Sequence, residues 1–284
     1  MPVLDAVTLI LARGGALEYG RARMWLSATY MVGNVGAGVL AAAVGMMIIM
    51  PSVQVCLVIF AAACLLVPRM PVAQRVEIKG RLEWKLPFFM IILVAGLIQA
   101  SHGLLYSFAS LHWLALGYSN TMVGVFWAVS VVAEVIVFSC SALFLRYFGP
   151  LRLLLVAALG ATARWGLMSL DLGIGFQIGL QALHGVSFGM TYLAATRFIA
   201  DTGPQARAAS AQSLFGSVSG LSLAAATFGG GLLYARFDAT AFAAMAVISA
   251  GAIVLLLVVW QGAARLLAEP LEQGDVALNQ GVAP

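Results

Sequence analysis

Three ionisable residues stand well inside three successive apolar runs. Glu134 lies within Asn120 to Arg146, Arg164 within Leu151 to Leu170, and His184 within Gly173 to Ala200. Glu134 is 12 residues before Arg146, Arg164 is 12 residues after Arg152, and His184 is 13 residues before Arg197. At the rise of an α-helix these spacings put all three ~18–20 Å from the same end of their segments. In an apolar layer ~30 Å thick that is one common level near the middle. A charge there costs at least ~2.5–3.5 kcal/mol, so it persists with a partner and usually with a task. One reading is a structural ion pair, Glu134 with Arg164, locking two helices together. The other is a site that handles protons or a charged solute.

Composition requires such a layer. The 284 residues are 62% hydrophobic and 9% charged, which excludes an ordinary soluble domain and reads as an all-α membrane protein. The net charge of +4 does not argue for nucleic acid, because the basic residues are dispersed among loops rather than gathered in a patch. Thirteen of the 15 Lys and Arg fall on alternate loops and the two ends, which makes that side, and both termini, cytoplasmic. Cys56, Cys64 and Cys140 all sit in apolar runs, and neither a CxxC nor an HExxH pattern occurs. Metal sites and disulfide frameworks are therefore unsupported.

The elements that carry the three residues follow from the punctuation of the chain. Met1 to Ala12 is apolar apart from Asp5 but too short to span, and lacks the marks of a signal peptide. Met24 to Val67 is free of charge, and Pro51-Ser52 divides it into two spans. Residues 1–67 thus read as a helix stub and two spans, and 68–85, the one long polar segment, as a cytoplasmic linker. Six spans follow over 86–261: Leu86–Trp113, Thr121–Leu145, Leu151–Leu170, Gly173–Ala200, Ser210–Tyr234 and Ala239–Gln261. Residues 262–284 form a polar cytoplasmic tail. Gly216 and Gly220, at the GxxxG spacing, read as a close helix contact or a hinge.

Several stretches resemble the major facilitator superfamily, in the group of the 3-phenylpropionic acid transporters and, more distantly, lactose permease. Asp5-Ala6 followed by Tyr19-Gly-Arg-Ala-Arg23-Met-Trp25 is similar to the family's fourth-to-fifth helix signature. Val131-Val-Ala-Glu134 resembles its eighth helix, Arg164-Trp165-Gly166 its ninth, and Leu183-His184 its tenth. The resemblance implies a two-half helical bundle of which this chain would carry eight spans and a stub, beginning near the end of the fourth helix. It also implies a monomeric, multi-pass secondary transporter of a bacterial inner membrane, driven by a proton gradient with no cofactor, whose partners are a small solute, protons and lipid.

Roles follow residue by residue. The resemblance gives substrate contacts to Asp5, Arg23, Tyr30 and Arg164, and proton coupling to Glu134 and His184. Tyr106, Trp127 and Trp165 are further ring contacts for a solute. A guanidinium suits an anionic carboxylate, so a phenylpropionate-like acid leads, with a proton-linked sugar or nucleoside symporter as the alternative. Two departures stand out: Ser187 occupies the place of a carboxylate one turn after the histidine, and Gln99-Ala-Ser-His102 replaces the acids of the seventh helix. Two other classes are open. An intramembrane enzyme would rest on Ser187 near His184, with no orienting Asp, and a non-transporting scaffold or fragment would need no site at all.

Overall fold

The computed structural model of the chain describes Thr8 and residues 18–66, 85–203 and 208–269. Asp5, the linker up to 84 and the tail from 270 lie outside the described residues. Every described element is helical. In chain order they are α1 (Tyr19–Val44), a 3-10 turn (Met46–Ile48), α2 (Ile49–Leu66), α3 (Leu86–Ala100), α4 (Gly103–Ala115) and α5 (Asn120–Ser139). Then come α6 (Ser141–Met168), α7 (Ile174–Ala182), a π turn (Gly185–Met190), α8 (Thr191–Thr202) and α9 (Ala208–Phe237). A 3-10 turn (Asp238–Ala241) leads into α10 (Phe242–Ala268).

Backbone chemistry explains the breaks. Ser119 caps α5, its hydroxyl accepting from the Met122 amide at 3.2 Å. Pro87 sits in the first turn of α3, where its missing N–H costs nothing. α6 turns sharply at Gly149, whose φ of 66° favours glycine, and Pro150 follows immediately. The run expected to divide at Pro51-Ser52 instead divides earlier, at Gly45, with φ 96°. Pro51 is accommodated in the first turn of α2, as proline readily is. Three expected spans are interrupted: Leu86–Trp113 breaks at Ser101-His102, Thr121–Leu145 breaks at Cys140, and Gly173–Ala200 contains the π turn. At the first break the Ser101 hydroxyl donates to the Ile98 carbonyl at 2.6 Å, competing with the helix ladder.

The core lies among α3 to α10. α3 packs between α9 and α10, α10 lies along α6, and α6 meets α8 and the π turn. Trp113, Trp165, Phe126, Phe138, Phe198 and Phe242 are wholly buried there. Backbones approach closely where side chains vanish. A Cβ on Gly103 would stand 2.9 Å from the Thr227 amide, and one on Gly185 would stand 2.5 Å from the Ala133 carbonyl. That second contact presses the π turn onto α5 one residue before Glu134. α1 lies on α5, whereas α2 touches little beyond α1 and its turn and buries none of its residues.

Candidate functional site

The three mid-depth residues arrive from α5, α6 and the turn after α7, and the packing above brings them into one buried layer. Arg164 is fully buried. Its Nη2 donates to Gln181 Oε1 at 2.7 Å, and its Nη1 lies 3.1 Å from His184 Nδ1 and 3.2 Å from Ser187 Oγ. Its guanidinium rests 4.5 Å above the Trp165 ring. A guanidinium only donates, so His184 Nδ1 accepts, and a neutral ring carries its proton on Nε2. That nitrogen faces Glu134, 3.9 Å from Oε2. The other carboxylate oxygen accepts from the Ser27 hydroxyl of α1 at 2.8 Å.

The layer continues past Arg164. Ser187 Oγ is 3.0 Å from His102 Nε2, and His102 Nδ1 is 3.1 Å from the Ile98 carbonyl. That carbonyl only accepts, so Nδ1 donates, and in a neutral ring Nε2 accepts from Ser187. Every group in the line from His102 through Ser187, Arg164 and His184 to Glu134 then has a consistent donor or acceptor role. Gln181 Oε1 takes a second bond from Ser130 at 3.2 Å, which fixes the amide.

Glu134 and Arg164 do not form the expected ion pair. Among the described residues His184 stands between them. Both helices place their ionisable group in the layer, but the imidazole fills the gap. Ser187 likewise bonds His102 and Arg164 rather than His184. The expected Ser187–His184 pair is not formed.

A cavity of about 270 Å³ opens beside this layer. Arg23 of α1, Gln99 of α3, Tyr106 of α4, Phe188 of the π turn, Tyr192 of α8 and the α9 residues Gln212 to Leu223 line it. The Arg23 guanidinium lies 4.3 Å over the Tyr192 ring and 5.6 Å from that of Phe138. Tyr106 stacks at 5.9 Å on His102 and meets His184 edge-on at 6.3 Å, so one ring belongs to both the cavity and the layer. Arg23 Nε, Gln99 Oε1, Gln212 Nε2 and Ser219 Oγ are buried atoms with no hydrogen-bond partner among the described residues. Such groups call for a polar partner on the solute or on water.

The expected solute contacts thus separate. Arg23 and Tyr106 line the cavity. Trp127 stands behind Tyr106, stacked at 6.2 Å with its indole N–H donating to Ser110 at 2.9 Å. Arg164 and Trp165 have no exposed surface and do not reach the cavity, which corrects their reading as direct contacts. The Arg164 Nη1 and Nη2 donors are engaged in the layer, and Trp165 is the platform beneath it, its own N–H donating to Ser101 at 2.8 Å. Asp5 and the side chain of Tyr30 lie outside the described residues. Sequence reasoning missed Ser27, Gln181, Gln212, Phe188 and Tyr192, which are ordinary membrane-helix residues singly and matter only by position. Gly216 and Gly220 both line the cavity, and a Cβ on Gly220 would meet nothing within 4 Å, so Gly220 makes no close helix contact.

A helical membrane bundle with a buried polar layer beside a central cavity is the architecture of a solute carrier. Residues 1–244 match the model of the MFS_1 like family, and the chain belongs to that family of membrane transporters. It is 28% identical over 266 residues to a protein named probable 3-phenylpropionic acid transporter from Escherichia coli (strain K12), covering 90% of this chain and 69% of that one. It is 26% identical over 250 residues to the maltose permease of Geobacillus stearothermophilus, covering 84% of this chain and 62% of that one. The chain thus spans about two thirds of the length of these relatives. It is a transporter-family protein and not an enzyme.

Proposed function

We propose that the chain carries a small aromatic carboxylate across the bacterial inner membrane together with protons, by alternating access between two helical bundles. The observation that carries this reading is the Arg23 guanidinium held over the Tyr192 ring in a cavity walled by Tyr106, Phe188 and Phe215. A cation among aromatic faces suits a solute with a carboxylate at one end and a ring at the other. The name of the E. coli relative, a probable 3-phenylpropionic acid transporter, agrees with that chemistry. Residues 86–261 act as one bundle, and α1 and α2 belong to its counterpart, so that the cavity lies where the two halves meet. Eight spans with both termini in the cytoplasm accommodate the basic loops.

Glu134 is the coupling carboxylate and His184 its neighbour, with Arg164 fixing the imidazole. A sugar solute is the second reading. It draws on the maltose permease relative and on the Gln99 and Gln212 amides, which suit hydroxyl groups. Uptake of labelled 3-phenylpropionate and labelled maltose by cells expressing the chain separates the two. Saturable, proton-gradient-dependent uptake of the acid is expected, falling at least about tenfold in Arg23→Ala. Uptake of maltose alone would refute the carboxylate reading. In Glu134→Gln the acid should still exchange downhill but not accumulate.

A further inference from the structure

α1 presents two residues of different function on one face. Arg23 and Ser27 are four apart, neighbours one turn along the helix, ~6 Å in axial rise. Arg23 reaches the cavity, while Ser27, buried like the carboxylate it serves, donates to Glu134 Oε1 at 2.8 Å. That is the sole hydrogen bond to Glu134 among the described residues, since His184 Nε2 stands off at 3.9 Å.

The two sides of this contact differ in their freedom to move. Glu134 sits on a backbone that cannot shift cheaply. Gly185 leaves no room for a Cβ against the Ala133 carbonyl, and one on Gly189 would touch Val137 at 3.3 Å and the Glu134 Cγ at 3.8 Å. α1 is anchored close by at Gly20, where a Cβ would stand 2.5 Å from the Phe138 carbonyl. Further along, Gly33 and Gly36 meet nothing within 4 Å. The helix is therefore seated at its beginning and open beyond, with Arg23 and Ser27 just past the seat.

We propose that Ser27 is the positioning residue through which a solute bound at Arg23 sets the proton on Glu134. The inference rests on the reading of the cavity given above. A carboxylate solute draws Arg23 toward itself, and α1, a rigid rod pivoting near Gly20, carries Ser27 with it. Glu134 then loses a hydrogen-bond donor and part of the field of Arg23, and its carboxylate takes a proton from water to become the neutral acid. The other charged or titratable groups facing it are His184 from the segment after α7 and, behind that ring, Arg164 of α6 and His102 between α3 and α4. None of these lies on α1, so none moves with the solute.

The test measures proton uptake on binding with the purified chain in detergent, lightly buffered with a pH indicator and titrated with 3-phenylpropionate. Wild type should take up protons in step with solute, and Glu134→Gln should take up none. Ser27→Ala should bind the acid within about twofold of wild type, as expected when one remote hydrogen bond is lost, yet take up at least about threefold less proton per bound solute. Ser27→Thr, which keeps the hydroxyl, should restore uptake. Undiminished uptake in Ser27→Ala overturns the proposal, as does a Ser27→Thr variant that binds but stays uncoupled. Binding without proton uptake in wild type overturns it too, leaving the carboxylate reading intact. Absence of 3-phenylpropionate binding by wild type overturns the carboxylate reading and this inference together.

Discussion

α2 and α3 are close in composition and opposite in fate. Ile-Met-Pro-Ser-Val-Gln-Val-Cys-Leu-Val-Ile-Phe and Leu-Pro-Phe-Phe-Met-Ile-Ile-Leu-Val-Ala-Gly-Leu are both long apolar stretches with a proline near the start. Yet α3 buries nine of its 15 residues and α2 none of its 18. In lipid, apolar character decides only that a helix resides in the bilayer, since the surrounding tails are as apolar as the side chains. What selects a protein neighbour is shape and polarity. α3 offers Gly96, which lets α9 approach, and Gln99 at the cavity, whereas the flank of α2 offers Val55, Leu57, Val58 and Ile59, all exposed.

That comparison can be broken by substitution, read as reversible unfolding in mixed micelles. Ile98→Ala removes a wholly buried side chain of α3 and should cost at least about 2 kcal/mol through the cavity it leaves. Gly96→Val should cost about 1–3 kcal/mol, because a Cβ there already stands 2.7 Å from Val218 Cγ1 and the α3–α9 contact must open. Ile59→Ala, the same chemical change as the first but on α2, should fall within about 0.5 kcal/mol of wild type. A cost at Ile59 near that at Ile98 would mean that α2 is packed against protein, and the contrast would collapse.

The sequence carried the helical class and the level of the polar layer well, and the pairing within it poorly. Depth is a sum of axial rises, so Glu134, Arg164 and His184 could be placed on one level by counting residues. Pairing depends on which way each helix faces, and that is set by neighbours and by breaks. The turn at Ser101-His102 and the π turn at Gly185–Met190 both alter facing without any proline to announce them. Ser27 and Gln181 escaped notice for another reason. A neutral polar side chain is cheap enough in a membrane helix to occur without purpose, so its type alone carries little information. Trp165 misled in the opposite direction. An aromatic next to an arginine suggests a solute contact, and here it supports the arginine from below. Gly216 and Gly220 show that small residues on a membrane helix serve a hollow as readily as a contact.

The π turn after His184 has one more consequence. Holding an extra residue in its winding, it sets α8 about 100° around from where an unbroken α-helix would have put it. Tyr192, seated beneath Arg23, lies beyond that offset. Part of the cavity's shape is therefore written in a count of residues rather than in their kinds. Deleting Val186 would keep every group of the layer and the cavity wall and re-aim several of them at once. An insertion or deletion at this point would re-aim the cavity wall in steps coarser than any single side-chain exchange could make.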